Sequence, residues 1–221
     1  MPQKRTLLGV DLGTSGAKAG LFDEDGKLLG LAREEYHFQH PEPGRSEIDP
    51  QEVWGKASGV IGECVKGSGL DADAIVAMGL SVLGETFMFV DEMGNPVHNA
   101  VESMDGRGQA YQKEVGWFKE KFGDEAIFKR TSYPISSLPP APKILWFRDH
   151  QPEILERAAK FVTFQDFAVW RLTGSPAIDY SMASRTMLFD VQEKHWIPEY
   201  LQAMGISAER FSRPYESSTV V

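Results

Sequence analysis

Residues 7–31 read Leu-Leu-Gly-Val-Asp-Leu-Gly-Thr-Ser-Gly-Ala-Lys-Ala-Gly-Leu-Phe-Asp-Glu-Asp-Gly-Lys-Leu-Leu-Gly-Leu, and this stretch decides the fold. Two apolar runs, Leu7 to Leu12 and Ala17 to Phe22, flank the short polar turn Gly13-Thr14-Ser15-Gly16. A third run, Lys27 to Leu31, follows Asp25-Gly26, a strong hairpin signal. The pattern predicts a three-stranded antiparallel meander. Its first turn differs in kind from its second. Gly13 and Gly16 permit positive φ and leave room for close backbone approach. Thr14 and Ser15 add hydroxyl donors, and successive amides in such a turn can form a nest that attracts an anion.

Asp11 stands just before that turn, in an otherwise apolar strand. A carboxylate beside an anion cradle is repulsive unless a divalent cation lies between them. Mg²⁺ suits this arrangement, being held by one or two carboxylates, waters and substrate phosphates. Lys18, leaving the turn, offers a point charge to a terminal phosphate. A plain hairpin with Asp11 capping its turn is the simpler reading. Asp11, two hydroxyls, two glycines and Lys18 at this spacing together favour a nucleotide phosphate site.

The chain has 221 residues, enough for one domain with a sizeable core. A hydrophobic content of 42% and a charged content of 25% are ordinary for a soluble globular protein. A net charge of −9 argues against nucleic acid as a partner. Cys64 is the only cysteine, which excludes an internal disulfide and fits a reducing compartment. The apolar run after Met-Pro-Gln-Lys-Arg is broken by Asp11 and is too short for a signal peptide or a membrane span. A cytoplasmic location with no membrane partner is the expectation.

The residues Asp-Leu-Gly-Thr-Ser-Gly-Ala-Lys resemble the first phosphate motif of the actin-like ATPase superfamily. Within it they resemble the FGGY family of carbohydrate kinases, whose members include xylulokinases, glycerol kinases and gluconokinases. A strand, not a helix, follows the turn, which sets the motif apart from a Walker P-loop or a Rossmann fingerprint.

Further segments carry the same resemblance. Asp49-Pro50-Gln51-Glu52 is a helix start, with Asp49 as N-cap, Pro50 in the first turn and Glu52 completing a capping box. Val53, Ala57, Val60, Ile61 and Cys64 then recur with helical period, and Gly67-Ser68-Gly69 ends the helix. His37 and His40, in the loop before it, lack ligand partners for a metal. Ala74 to Ser81 reads as a buried strand and Phe87 to Val90 as the next, in a strand–turn–strand layout. Glu85 sits at the break. A solvated turn glutamate is the plain alternative, but by resemblance Gly84 and Glu85 fall in the family's sugar-binding segment. Members carry Glu or His where Glu85 stands, and some carry Arg where this chain has Gly84.

Ser103-Met104-Asp105-Gly106-Arg107 resembles the family's Trp-x-Asp-x-Arg, with Ser103 in the tryptophan's place. Asp105 serves either as a helix N-cap or as a substrate contact. Tyr111, Val115, Phe118 and Phe122 form one face of the helix that follows. Leu138 to His150 resembles a Lys-apolar-x-Trp signature, with Trp146 and Phe147 read as core. Pro152 opens a short helix, 161–163 is a strand candidate, and Asp166 to Leu172 is helical, stopping at Thr173-Gly174. Ile178 to Asp190 resembles the family's Asp-x-Ser/Thr-x-Ala-Ser-Arg-Thr segment, with Asp179 and Arg185 as an ion pair.

The resemblance implies an α/β domain of ribonuclease-H-like type, a mixed five-stranded sheet flanked by helices. It implies ATP-dependent phosphorylation of a sugar or polyol hydroxyl, with ATP and Mg²⁺ required. Asp11 is expected to position metal, Gly13, Thr14, Ser15 and Lys18 the phosphates, and Gly84, Glu85, Ser103 and Asp105 the substrate. Ser103 and Gly84 enlarge the pocket, so a substrate longer than glycerol is expected. The family's catalytic base lies in a Gly-Gly-x-x-Asp-like segment that nothing in 190–221 matches. Residues 1–221 are therefore expected to be the N-terminal, sugar-binding domain, inactive alone, with an ATP-binding C-terminal domain as partner. An exposed apolar docking face is expected too, able to drive a homodimer. A non-catalytic sugar-binding or regulatory module is the alternative.

Overall fold

The computed structural model describes residues 5–106 and 111–221. Arg107, matched above to the family pattern, lies outside them. In chain order the elements begin β1 (Thr6–Leu12), β2 (Gly16–Asp23), β3 (Leu28–Glu35), β4 (Glu47–Ile48), α1 (Pro50–Ser68), β5 (Ile75–Val82), β6 (Phe87–Val90) and β7 (Ala100–Val101). Next come α2 (Gln112–Phe122), α3 (Asp124–Thr131), α4 (Pro140–His150), α5 (Pro152–Arg157), β8 (Lys160–Thr163), α6 (Phe164–Thr173) and β9 (Ala177–Asp179). Last are α7 (Tyr180–Ser184), β10 (Phe189–Asp190), β11 (His195–Trp196), α8 (Pro198–Met204) and β12 (Arg213–Tyr215). No helix among the described residues is long and apolar enough to cross a membrane.

The chain divides into two compact units, one formed by residues up to Phe38 with Ile48–Leu83, the other by Gln39–Glu47 with Gly84–Val221. The first unit is a mixed sheet in the order β3-β2-β1-β5. β1, β2 and β3 form the expected antiparallel meander, and β5 runs parallel to β1. The second turn closes as its sequence predicts. Gly26 takes φ 79°, and the Asp23 carboxylate accepts from the amides of Asp25 and Lys27.

Strand alternation sorts the side chains onto two faces. Leu8, Val10, Leu12, Ala17, Ala19 and Leu21 are buried on the α1 side, facing Val53, Ala57, Val60 and Cys64. Gly30 is required there, because a Cβ at this position would meet the Cys64 carbonyl at 2.6 Å. Asp49 caps α1 through the Gln51 amide, while Glu52 pairs with Lys56 at 3.4 Å and closes no capping box. The other face carries cross-strand rows: Leu7, Phe22 and Leu28, then Gly9, Gly20 and Leu31, then Asp11, Lys18 and Arg33. Leu7, Leu28 and Leu31 are exposed on this face, alongside the charged Asp11 and Lys18.

Three expectations are corrected here. The sheet has four strands among the described residues, not five, because Phe87–Val90 joins a different sheet. For the same reason β5 and β6 do not form a strand–turn–strand pair. β5 is not buried: it is an edge strand that α1 does not cover, and Val76 and Met78 are exposed.

The second unit holds a sheet in the order β4-β7-β6-β8 and the two-stranded pairs β10-β11 and β12-β9, with most of the helices. Its core is aromatic. Phe89 meets Phe87, Phe147 and Phe161 edge-on at 5.3, 4.8 and 5.5 Å between ring centroids, a favoured aromatic geometry. Phe147 is core as expected, but Trp146 is only partly buried and stacks on His150. α2 starts at Gln112 with Tyr111 as its N-cap residue, so Asp105 does not cap it. α6 begins at Phe164, two residues before the expected start at Asp166, with a capping box between Thr163 and Asp166, and it ends at Gly174 in the left-handed region, as its sequence predicts.

Candidate functional site

Five of the candidate residues fall in the first unit and four in the second, so the two sets are described separately. In the first unit the β1–β2 turn is closed by the Gly13 amide donating to the Gly16 carbonyl at 3.0 Å. Tyr36 ties it down from behind, its hydroxyl donating to the Gly13 carbonyl at 2.6 Å. Burial and the nearby Asp11 charge push the Tyr36 phenol well above its ordinary range. Gly13 and Gly16 permit positive φ, but neither takes it. Gly16 is needed for close approach alone, since a Cβ would sit 2.5 Å from the Glu34 carbonyl.

Thr14 and Ser15 are exposed, and neither their hydroxyls nor their amides donate to a partner among the described residues. Asp11 and Lys18 are register partners on β1 and β2, with the Lys18 ammonium 3.4 Å from the Asp11 carboxylate. Both are substantially exposed, and an exposed pair of this kind adds little stability. The turn thus presents free donors, a cation and one carboxylate side by side. No cluster of three or more His, Cys, Asp or Glu suited to a metal occurs among the described residues. A single carboxylate fits an ion that keeps most of its shell as water and phosphate oxygens, which is the habit of Mg²⁺.

In the second unit Glu85 takes φ 65°, a left-handed conformation that is costly for a residue with a side chain. Its side chain is buried. The Glu85 Oε1 accepts from the Tyr133 hydroxyl at 2.9 Å and from the Arg185 guanidinium. That guanidinium lies over the Tyr133 ring, 4.5 Å from its centroid, a cation–π arrangement. Burial, and then the Glu85 carboxylate, push the Tyr133 phenol up to about 12, so it stays a donor. Beside Glu85, a Cβ on Gly84 would meet nothing within 4 Å.

Asp105 is buried, and its carboxylate accepts from the Ser46 amide at 2.7 Å and the Tyr111 hydroxyl at 2.6 Å. The structure uses it to tie the 103–106 loop to its surroundings. Lys143, fully buried on α4, donates from Nζ to the Ser103 carbonyl at 2.8 Å and so holds the same loop. A buried ammonium is costly unless its donors are satisfied, so this contact fixes the loop tightly.

Asp179 and Arg185 do not pair. Asp179 caps α7 through the Met182 amide, and Arg185 reaches back across 100 positions to Glu85. Sequence reading missed Tyr133 as a partner of Glu85. A lone tyrosine after Thr131-Ser132 carries no local signal of such a role.

A model of the FGGY family of carbohydrate kinases, N-terminal domain, matches residues 6–221. A glycerol kinase of Paraburkholderia phytofirmans is 33% identical over 225 residues, covering 99% of this chain and 44% of that protein. A glycerol kinase of Trichlorobacter lovleyi is 36% identical over 208 residues, covering 90% of this chain and 41% of that protein. In fold, a gluconate kinase from Lactobacillus acidophilus superposes with a TM-score of 0.89 at 22% identity, covering 99% of this chain and 43% of that one. A kinase from Brucella ovis described as a xyloylose kinase superposes with a TM-score of 0.88 at 26% identity, covering 98% of this chain and 44% of that one. The chain spans less than half the length of these relatives.

Proposed function

We propose, for a chain that belongs to the FGGY family of carbohydrate kinases, that it is the sugar-binding half of an enzyme that phosphorylates a sugar or polyol hydroxyl with ATP. The observation that carries this reading is Glu85: a buried carboxylate on strained backbone, fixed through one oxygen by Tyr133 and Arg185. Backbone strain persists where the surroundings over-determine it, and it clusters at functional sites. The second oxygen of Glu85 is an acceptor for a substrate hydroxyl.

Phosphoryl transfer depends on positioning and on neutralising charge around the phosphates. The amides and hydroxyls of Thr14 and Ser15, on the turn that follows Gly13, would bind phosphate oxygens, and Lys18 would add a point charge; their exposure without partners among the described residues supports this. Asp11 would hold Mg²⁺, which supplies charge neutralisation of the transferring phosphate when bound. Ser103 and Asp105 line no reacting group in this reading; they belong to the loop that Lys143 and Tyr111 hold in place. The proton-accepting carboxylate and the adenosine contacts belong to a second domain, the partner this half requires.

An assay of ADP release with ATP, Mg²⁺ and a panel of polyols and ketoses tests the reading on the polypeptide encoded by the complete gene. Sugar-dependent turnover, reduced at least ten-fold by Glu85→Gln, supports it. Turnover unaffected by that substitution refutes it.

A further inference from the structure

We propose that Arg185 contacts the substrate directly and sets specificity, donating from its free edge to an oxygen of the sugar that Glu85 binds. The inference rests on the reading of Glu85 as the sugar-binding carboxylate and adds a second residue to that site.

Four observations carry it. Arg185 makes one hydrogen bond, from Nη2 to Glu85, and its Nε and Nη1 have no partner among the described residues. Its side chain is 48% exposed while that of Glu85 is 6% exposed, so the guanidinium lies on the open side of the carboxylate. Its plane is fixed by the Tyr133 ring below and by Glu85 at one corner, so the remaining N–H groups are held in set directions. Gly84 leaves empty space next to Glu85.

An arginine placed only to neutralise a buried glutamate needs none of this. A lysine would supply the same charge, and neither a fixed plane nor outward-facing donors would be required. A guanidinium clamped on an aromatic face is pre-organised, so little further entropy is lost when it binds. Neighbouring oxygens of an open-chain polyol or ketose suit the pair: Glu85 accepts from one hydroxyl and Arg185 donates to the next oxygen. The charge also admits a terminal carboxylate, so a sugar acid is the second class of ligand to compare.

The test uses the polypeptide encoded by the complete gene, labelled with ¹³C and ¹⁵N, and three probes: erythritol, D-xylulose and D-gluconate. The Nε–Hε resonance of Arg185 is assigned in the wild type by through-bond correlation to its own backbone amide. The expected result is that at least one probe moves this resonance in the wild type. Arg185→Lys then weakens that probe at least ten-fold and changes the ranking of the three, with the thermal midpoint unchanged. Wild-type binding that leaves the Arg185 resonance in place overturns the proposal while leaving the Glu85 reading intact. This measurement stands even if the variant misfolds. Absence of any probe-induced shift in the amides around Glu85 overturns both.

Discussion

Replacing Asp166 by asparagine should remove one defined component of this protein's pH-dependent stability. Asp166 is fully buried in the second unit, where its carboxylate accepts from the Thr163 amide, the Thr163 hydroxyl and the Ser212 hydroxyl. These are neutral donors, and no cation pairs with it among the described residues. Burial therefore dominates and pushes its carboxyl from the ordinary 3.8 to about 6. The sign follows from proton binding. Between pH 3.8 and 6 the folded state holds a proton that the unfolded state has released, so stability falls as pH rises through this window.

At 1.36 kcal/mol per pH unit, the protein is about 3 kcal/mol more stable below the window than above it, as far as this group is concerned. Asparagine keeps an acceptor for both Thr163 donors, and its amide can donate to Ser212, whose hydroxyl can turn to accept. Urea unfolding followed by tryptophan fluorescence, for wild type and Asp166→Asn from pH 4 to 7.5, isolates the effect. Asp91, Asp149 and Asp190, whose carboxyls are held below their ordinary range, are common to both proteins and cancel in the difference. The variant should gain on the wild type by about 2.4 kcal/mol across this range, most of the full effect. Stability curves that run parallel would refute the assignment of the burial cost to Asp166.

Three further outcomes are expected. In the complete kinase, Asp11→Asn should lower turnover on the order of 10²-fold or more, with the thermal midpoint held, because its exposed pair with Lys18 adds little to folding; near-wild-type turnover would contradict its role. Gly30→Ala should destabilise by about 1–3 kcal/mol, because the new methyl meets the α1 backbone and overpacks it; calorimetry showing an unchanged midpoint would mean the helix shifts freely. The substrate panel should favour a tetritol, pentulose or longer sugar over glycerol, given the open space at Gly84; glycerol as the best substrate would rule this out.

What the sequence determined alone is the part written in neighbouring residues. The meander, the Gly26 turn, the Asp49 cap and the stop at Gly174 depend on groups within a few positions of each other. Turn and cap chemistry of this kind is local, so it reads directly from the chain. The family resemblance, and with it the candidate roles of Asp11 and Glu85, was legible for the same reason: each motif is short and contiguous.

What only the tertiary structure decided depends on distance along the chain. Composition marked β5 as a strand, but its exposure follows from its place at the sheet edge, which composition does not encode. The partner of Arg185 was misread because Asp179 is six residues away while Glu85 is 100 away, and packing brought the far carboxylate to the guanidinium. Tyr133 reaches the same carboxylate across 48 positions. Lys143 is buried because two carbonyl oxygens await its ammonium, a satisfaction of donors that exists only once α4 has packed. Local chemistry chooses the elements, and burial of their apolar faces chooses which distant polar groups meet.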